Sequence, residues 1–198
     1  LDTLASDAPA PGGGSVAALC GAMSAGLSVM VAQLTTGKGP KQPGSETFYP
    51  LAVQAQQLKD AFLSDVDADT AAFGAIMDAL GLPKGTPEEK RSRRQAVQAA
   101  TRGAIEVPLR VLERSVEVIG LAETAATGNA NARSDAGVAG LVAQACADGA
   151  WYNVCINLQG LRDAEACADY RARADRALGL VSERSAALRE RVRAELGG

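Results

Sequence analysis

The chain has 198 residues, 47% of them hydrophobic but only 4% aromatic, so one core of alanine, leucine and valine must form, which suits closely packed helices. A net charge of −3 argues against a nucleic-acid partner. No histidine is present, which excludes His-based triads, His metal sites and imidazole proton shuttles and leaves acid–base chemistry to carboxylates, or failing those to Lys, Tyr or Cys.

Leu1 to Ala8 reads as the tail of a preceding helix. The stretch Pro9-Ala10-Pro11-Gly12-Gly13-Gly14-Ser15 then makes a turn that opens a helix, with Ser15 expected as N-cap. That helix carries no charge up to Gln33, and small residues recur along it at helical spacing: Ala17, Gly21, Ala25 and Ala18, Ala22, Gly26. Glycine inside a helix costs about 1 kcal/mol against alanine, so Gly21 and Gly26 are expected to admit a neighbouring backbone. The segment reads as a buried central helix; its length and apolarity also fit a membrane span, a reading opposed by Ser24, Ser28 and Gln33 and by the amphipathic character of every other helix. Gly37 ends it, with Lys38 placed for the negative helix end.

After a loop from Gly37 to Ser45, a second long helix is expected from about Glu46 to Leu80, with Pro50 in its first turn. Thr86-Pro87-Glu88-Glu89 spells a capping box for the next helix, which runs toward Ala126 with a kink or break expected near Glu106 from Pro108. Its run Lys90-Arg91-Ser92-Arg93-Arg94 reads as a solvated face that a polyanionic ligand tail could also use. Gly128-Asn129 closes that helix, Ser134 is expected to cap the next one to about Leu158, and Asp163 opens a last helix rich in arginine and glutamate. No stretch alternates with period two over strand length. The expected fold is all-α: a bundle of long antiparallel helices around the small-residue helix, one domain over residues 1–198, with homodimerisation suggested by the small-residue lines. Cys20, Cys146, Cys155 and Cys167 show no CxxC and no metal-ligand spacing, and the first three lie in apolar runs as small core residues. With no basic-then-apolar leader visible, the default compartment is a reducing cytoplasm.

Three places could carry chemistry. The second long helix has an apolar stripe of Leu58, Phe62, Val66, Phe73, Ile76 and Leu80, and the missing member between Val66 and Phe73 is Asp69. A carboxylate at an inward position is either a general base or half of an ion pair with an arginine of a neighbouring helix. Asp65 lies one turn earlier on an adjacent line, whereas Asp67 points away. The junction Gly128 to Asp135 offers Asn129, Asn131 and Asp135, as turn residues, as a surface pair with Arg133, or as ligand contacts. Asn153 and Asn157 stand one turn apart on an otherwise apolar helix, where buried amides must find partners in a neighbouring backbone or in a heterocycle's edge. The Gly12 to Gly14 turn is either a plain cap or an anion cradle.

Taken together, APAPGGGSVAAL at 8–19, VDAD at 66–69, LPKGTPEEK at 82–90, EVPL at 106–109, GNANARSD at 128–135 and YNVCINL at 152–158 resemble the formimidoyltetrahydrofolate cyclodeaminase family, which includes methenyltetrahydrofolate cyclohydrolases. The resemblance covers nearly the whole chain in order and spacing. It implies an all-α homodimer in cytoplasmic one-carbon metabolism, closing 5-formimidoyltetrahydrofolate to 5,10-methenyltetrahydrofolate with release of ammonia, with no metal and no cofactor beyond the folate substrate. It implies that Asp69 is catalytic. Gly12, Gly13, Gly14, Ser15, Lys38, Asp65, Asn129, Asn131, Asp135, Asn153 and Asn157 are then expected around the substrate. The alternatives are a cyclohydrolase acting on the methenyl compound, a non-catalytic folate-binding helical subunit, and a membrane-anchored bundle.

Overall fold

A computed structural model describes residues 1–37 and 45–197. Among them are five helices, α1 (Gly13–Thr36), α2 (Ser45–Gly81), α3 (Pro87–Ala125), α4 (Arg133–Leu158) and α5 (Ala164–Gly197), with one 3-10 turn over Ala130–Ala132 before α4 and no strand. The fold is an all-α bundle, as the missing period-two pattern implied. Leu1 to Ala8 forms turns and bends instead of a helix end.

The uncharged α1 sits at the centre and packs on α2, α3 and α4, while α5 packs on α3 and α4. Ala17, Ala18, Gly21, Ala22 and Ala25 are buried. The glycines do not both serve the expected purpose. Gly21 makes room for a ring, since a Cβ there would lie 2.5 Å from Phe62 Cε1, and Gly26 faces open space. Backbones approach closely along α4 instead: Ser24 Oγ donates to Ala139 O at 2.8 Å, and a Cβ on Gly149 would lie 3.1 Å from Ala17 Cβ. Ala17, near the start of α1, meets Gly149 in the later half of α4, and Ser24, further along α1, meets Ala139 near the start of α4, so the two helices run antiparallel.

Local chemistry sets most boundaries. Gly37, at φ 63°, ends α1 in the left-handed region that glycine tolerates; Lys38 lies outside the described residues. The capping box of α3 is formed: Thr86 Oγ1 accepts from Glu89 N at 3.1 Å and Glu89 Oε2 accepts from Thr86 N at 2.9 Å. Asp163 Oδ1 accepts from Ala166 N at 3.0 Å at the start of α5, and that bond, followed by the Arg102 guanidinium, holds the Asp163 carboxyl below its ordinary range. Three expectations fail. Ser15 is not the cap of α1: Gly12 is, without a side-chain bond. Ser134 does not cap α4, whose N-cap is Ala132, again without one. Pro108 does not break α3, which continues through it to Ala125.

Candidate functional site

Asp69 lies half-buried on α2, at the level of the first turn of α1. Its carboxyl occupies the space above Gly14 so fully that a Cβ on Gly14 would stand 2.7 Å from Asp69 Cγ. Only glycine leaves this room. No side chain caps α1, so its first N–H groups are left without a side-chain partner at the edge of the cavity that Gly12, Gly13 and Gly14 line. Ser15, the next residue, is only 3% exposed; its Oγ donates to Asp69 Oδ2 at 2.9 Å.

In front of Asp69 is a cavity of about 180 Å3, walled by the segment before α1, the glycine turn, α2, α3 and α4. Gly12, Gly13, Gly14, Asp69, Asn153 and Asn157 line it, and Ala72, Phe73 and Ile76 supply an apolar wall. The stripe on α2 thus serves two purposes. Leu58 and Phe62 are buried in the core, and the stretch from Asp69 to Ile76 faces the cavity.

The two asparagines have their amide nitrogens engaged. Asn153 Nδ2 donates to Gly149 O of its own helix at 2.8 Å. Asn157 Nδ2 donates across to Ala104 O on α3 at 2.7 Å. Ala104 is four residues before Pro108, and proline has no N–H to close the helical bond to that carbonyl. Asn157 takes the place of the missing donor. Both side-chain carbonyls are left as acceptors. The cavity therefore offers a carboxylate and two amide oxygens as acceptors, with the N–H groups of α1 as donors. Such a set is able to orient a small heterocycle rich in N–H groups and to move a proton at one atom beside Asp69. Among the described residues, no three His, Cys, Asp or Glu side chains gather as metal donors.

Four residues expected at the substrate lie elsewhere. Asp65 does not line the cavity. It is the fully buried carboxylate, 2% exposed, with Arg110 Nη2 at 2.7 Å from Oδ1 and Arg114 Nη1 on Oδ2. The ion pair that was one reading of Asp69 belongs to Asp65. Asn129 belongs to the opposite end of the bundle: its Nδ2 donates to Leu34 O at 3.0 Å and its N–H to Thr35 Oγ1 at 3.0 Å, binding the last turn of α1. At 1.5 Å per residue that end is roughly 30 Å from Gly13. Asn131, whose N–H bonds Asn129 Oδ1 at 3.0 Å, and Asp135, in the first turn of α4, share that end. Arg133 pairs with Glu195 instead of Asp135. Sequence reasoning missed Ala104, which carries no signal of its own, and assigned Phe73 and Ile76 to the core although their spacing from Asp69 put them on its face.

Fold and site together define a helical-bundle protein with a small cleft centred on one carboxylate. The chain belongs to the formiminotransferase-cyclodeaminase family, whose model matches residues 1–176. It is 42% identical over 197 residues to the methenyltetrahydrofolate cyclohydrolase of Methylorubrum extorquens, across 97% of this chain and 91% of that protein. It is 39% identical over 155 residues to the formimidoyltransferase-cyclodeaminase of Mus musculus, across 78% of this chain but 29% of that longer protein. Its fold is similar to that of the formiminotetrahydrofolate cyclodeaminase of Thermotoga maritima, with a TM-score of 0.78 and 26% identity over 100% of this chain and 93% of that one.

Proposed function

We propose that this protein is a folate one-carbon enzyme that closes 5-formimidoyltetrahydrofolate to 5,10-methenyltetrahydrofolate and releases ammonia. The observation that carries the reading is the Asp69 carboxyl, set at the N-terminus of α1 in a cleft that also holds Asn153 and Asn157. The folate N10 attacks the carbon of the formimino group in its protonated, amidinium form, which turns that nitrogen into an amine. Asp69 takes the N10 proton and returns it to the departing nitrogen, which leaves as ammonia, and the carbon is left bridging N5 and N10. One carboxylate between two nitrogens suffices for both transfers, and ring closure rests on holding N5 and N10 together. A cleft of about 180 Å3 is below the roughly 300–1,000 Å3 of pockets for drug-sized ligands. It takes the pterin end with its one-carbon unit, and the glutamate end lies outside. The Asn153 and Asn157 carbonyls accept from ring or amino N–H groups.

A second reading is hydrolysis of the methenyl compound, favoured by the end-to-end match to a protein named methenyltetrahydrofolate cyclohydrolase. There water adds to the same carbon, Asp69 takes its proton, and the N5–carbon bond breaks with a proton delivered to N5, leaving the formyl group on N10. Assaying both substrates separates the readings: ammonia release supports the first, methenyl hydrolysis alone the second, and folate binding without turnover of either a non-catalytic subunit. In the active assay, Asp69→Asn is expected to lower kcat about a hundred- to ten-thousandfold with folate binding retained; near-normal turnover removes Asp69 from the mechanism.

The protein works on this reading without a metal or a cofactor beyond folate. Its four free cysteines suit a reducing cytoplasm. The formimino route places it in histidine degradation. It acts as a homodimer through the outer faces of α1 and α4: Val16, Leu19, Met23, Met30 and Leu34 are exposed on one, and Val138, Leu141, Tyr152 and Ile156 on the other. A second copy covers this apolar face better than a lipid bilayer does, because 56% of the apolar window of α1 is already buried in the bundle.

A further inference from the structure

We infer that Ser15 is the positioning residue of the proton-transferring carboxyl: its buried hydroxyl holds the rear oxygen of Asp69 so that the front oxygen meets the substrate. The inference rests on the reading of Asp69 given above. Ser15 is the third residue of α1 and is 3% exposed. It is absent from the wall of the cavity, so it reaches substrate only through Asp69. Its Oγ has one proton and three oxygens in range: Asp69 Oδ2 at 2.9 Å, Val66 O at 3.2 Å and Thr70 Oγ1 at 3.4 Å. The nearest is also the charged one, and hydrogen bonds to a carboxylate are shorter and stronger than neutral ones. Thr70 can donate to Ser15 in turn, which leaves the serine proton for Asp69. The other oxygen, Oδ1, takes no bond from Ser15 and is the atom closest to the Cβ that Gly14 lacks; Gly14 and Asp69 both line the cavity.

The arrangement fixes the free χ2 torsion of the aspartate. An aspartate one turn from the end of a helix contact can swing its carboxyl, and each swing takes the accepting oxygen off the line to the reacting nitrogen. A carboxyl held from behind by a group with no freedom of its own presents the same lone pair at every encounter. The serine is not needed as a cap, because Gly12 supplies the N-cap of α1 without any side-chain bond.

The test is kinetic, on the whole chain with the substrate that it turns over. Ser15→Ala is expected to lower kcat about ten- to a hundredfold, the range of a lost hydrogen bond to a charged group, while KM stays within about threefold. In the Asp69→Asn background the same substitution is expected to change the residual kcat by less than about twofold, because it then has no carboxylate to position. A Ser15→Ala enzyme with normal kcat, or one that loses as much in the Asp69→Asn background as in the wild type, overturns the inference. If Asp69→Asn itself turns over normally, the role of Asp69 fails and that of Ser15 falls with it; if Asp69→Asn is inactive and Ser15→Ala is normal, only the positioning role fails.

Discussion

Gly14 and Asp69 contend for one small volume, which makes the glycine as necessary to the proposed chemistry as the acid. Gly14→Ala puts a methyl group where the carboxyl stands. The helix itself accepts alanine in its first turn, so the aspartate is the part that must give way. Gly14→Ala is therefore expected to reduce kcat at least about a hundredfold, with a circular dichroism spectrum and melting transition close to wild type. The paired acids of α2 show what a sequence conceals at this scale. Spacing alone singles out Asp69 as facing inward, and it does line the cavity. Spacing does not reveal that Asp65 is the more deeply buried of the two. That outcome is decided by Arg110 and Arg114, which arrive from α3 more than forty residues away, and no local pattern on α2 registers them. The Asn153–Asn157 pair was legible as a polar intrusion on an apolar helix. Its partner, the carbonyl of Ala104, was not, because every residue has a carbonyl.

At the scale of the helix, Pro108 connects sequence to site. Read locally, it ought to bend or end α3. It does not end the helix, which runs on to Ala125 among buried neighbours: Ile105, Leu109 and Leu112 are all inaccessible. Its effect appears one turn earlier, in the carbonyl that it leaves for Asn157. Pro108→Ala restores a helical donor to Ala104 O and competes with the Asn157 amide, which is then free to turn. KM is expected to rise about two- to tenfold, the weight of one neutral hydrogen bond, with a smaller change in kcat; an unchanged KM would show that Asn157 is held by other means. The N-caps of α1 and α4 were misread for a related reason. A serine near a helix start has several uses, and at Ser15 a carboxylate fifty-four residues away competes successfully for the hydroxyl.

At the scale of the whole molecule, the class and the length of the helices were legible from composition, turn residues and the absence of strand alternation. The arrangement of the helices was not. The family resemblance implied that the Asn129–Asp135 junction and the glycine turn share a ligand, yet α1 and α4 run antiparallel and hold them at opposite ends. Each of the two paired helices also carries an exposed apolar row. Val16, Leu19, Met23, Met30 and Leu34 recur on α1 with the spacing of Val138, Leu141, Ala145, Tyr152 and Ile156 on α4. A face with matching rows and few charges suits an isologous contact with its own copy. Leu141→Glu, at the middle of the α4 row, is expected to shift the sedimentation coefficient from dimer to monomer without loss of helix content, and a wild-type chain that sediments as a monomer would dismiss the contact.

The last helix stands apart from all of this. α5 touches α3 and α4, locks to them through Arg184 with Glu123 and Arg133 with Glu195, and contributes nothing to the wall of the cavity. Durability and chemistry are thus assigned to different flanks of the molecule. Mutational drift along the outer surface of that final rod changes how long the enzyme lasts before it changes what the enzyme makes, and a lineage adapting to heat has there a stretch to rewrite that leaves the pterin-sized cleft alone.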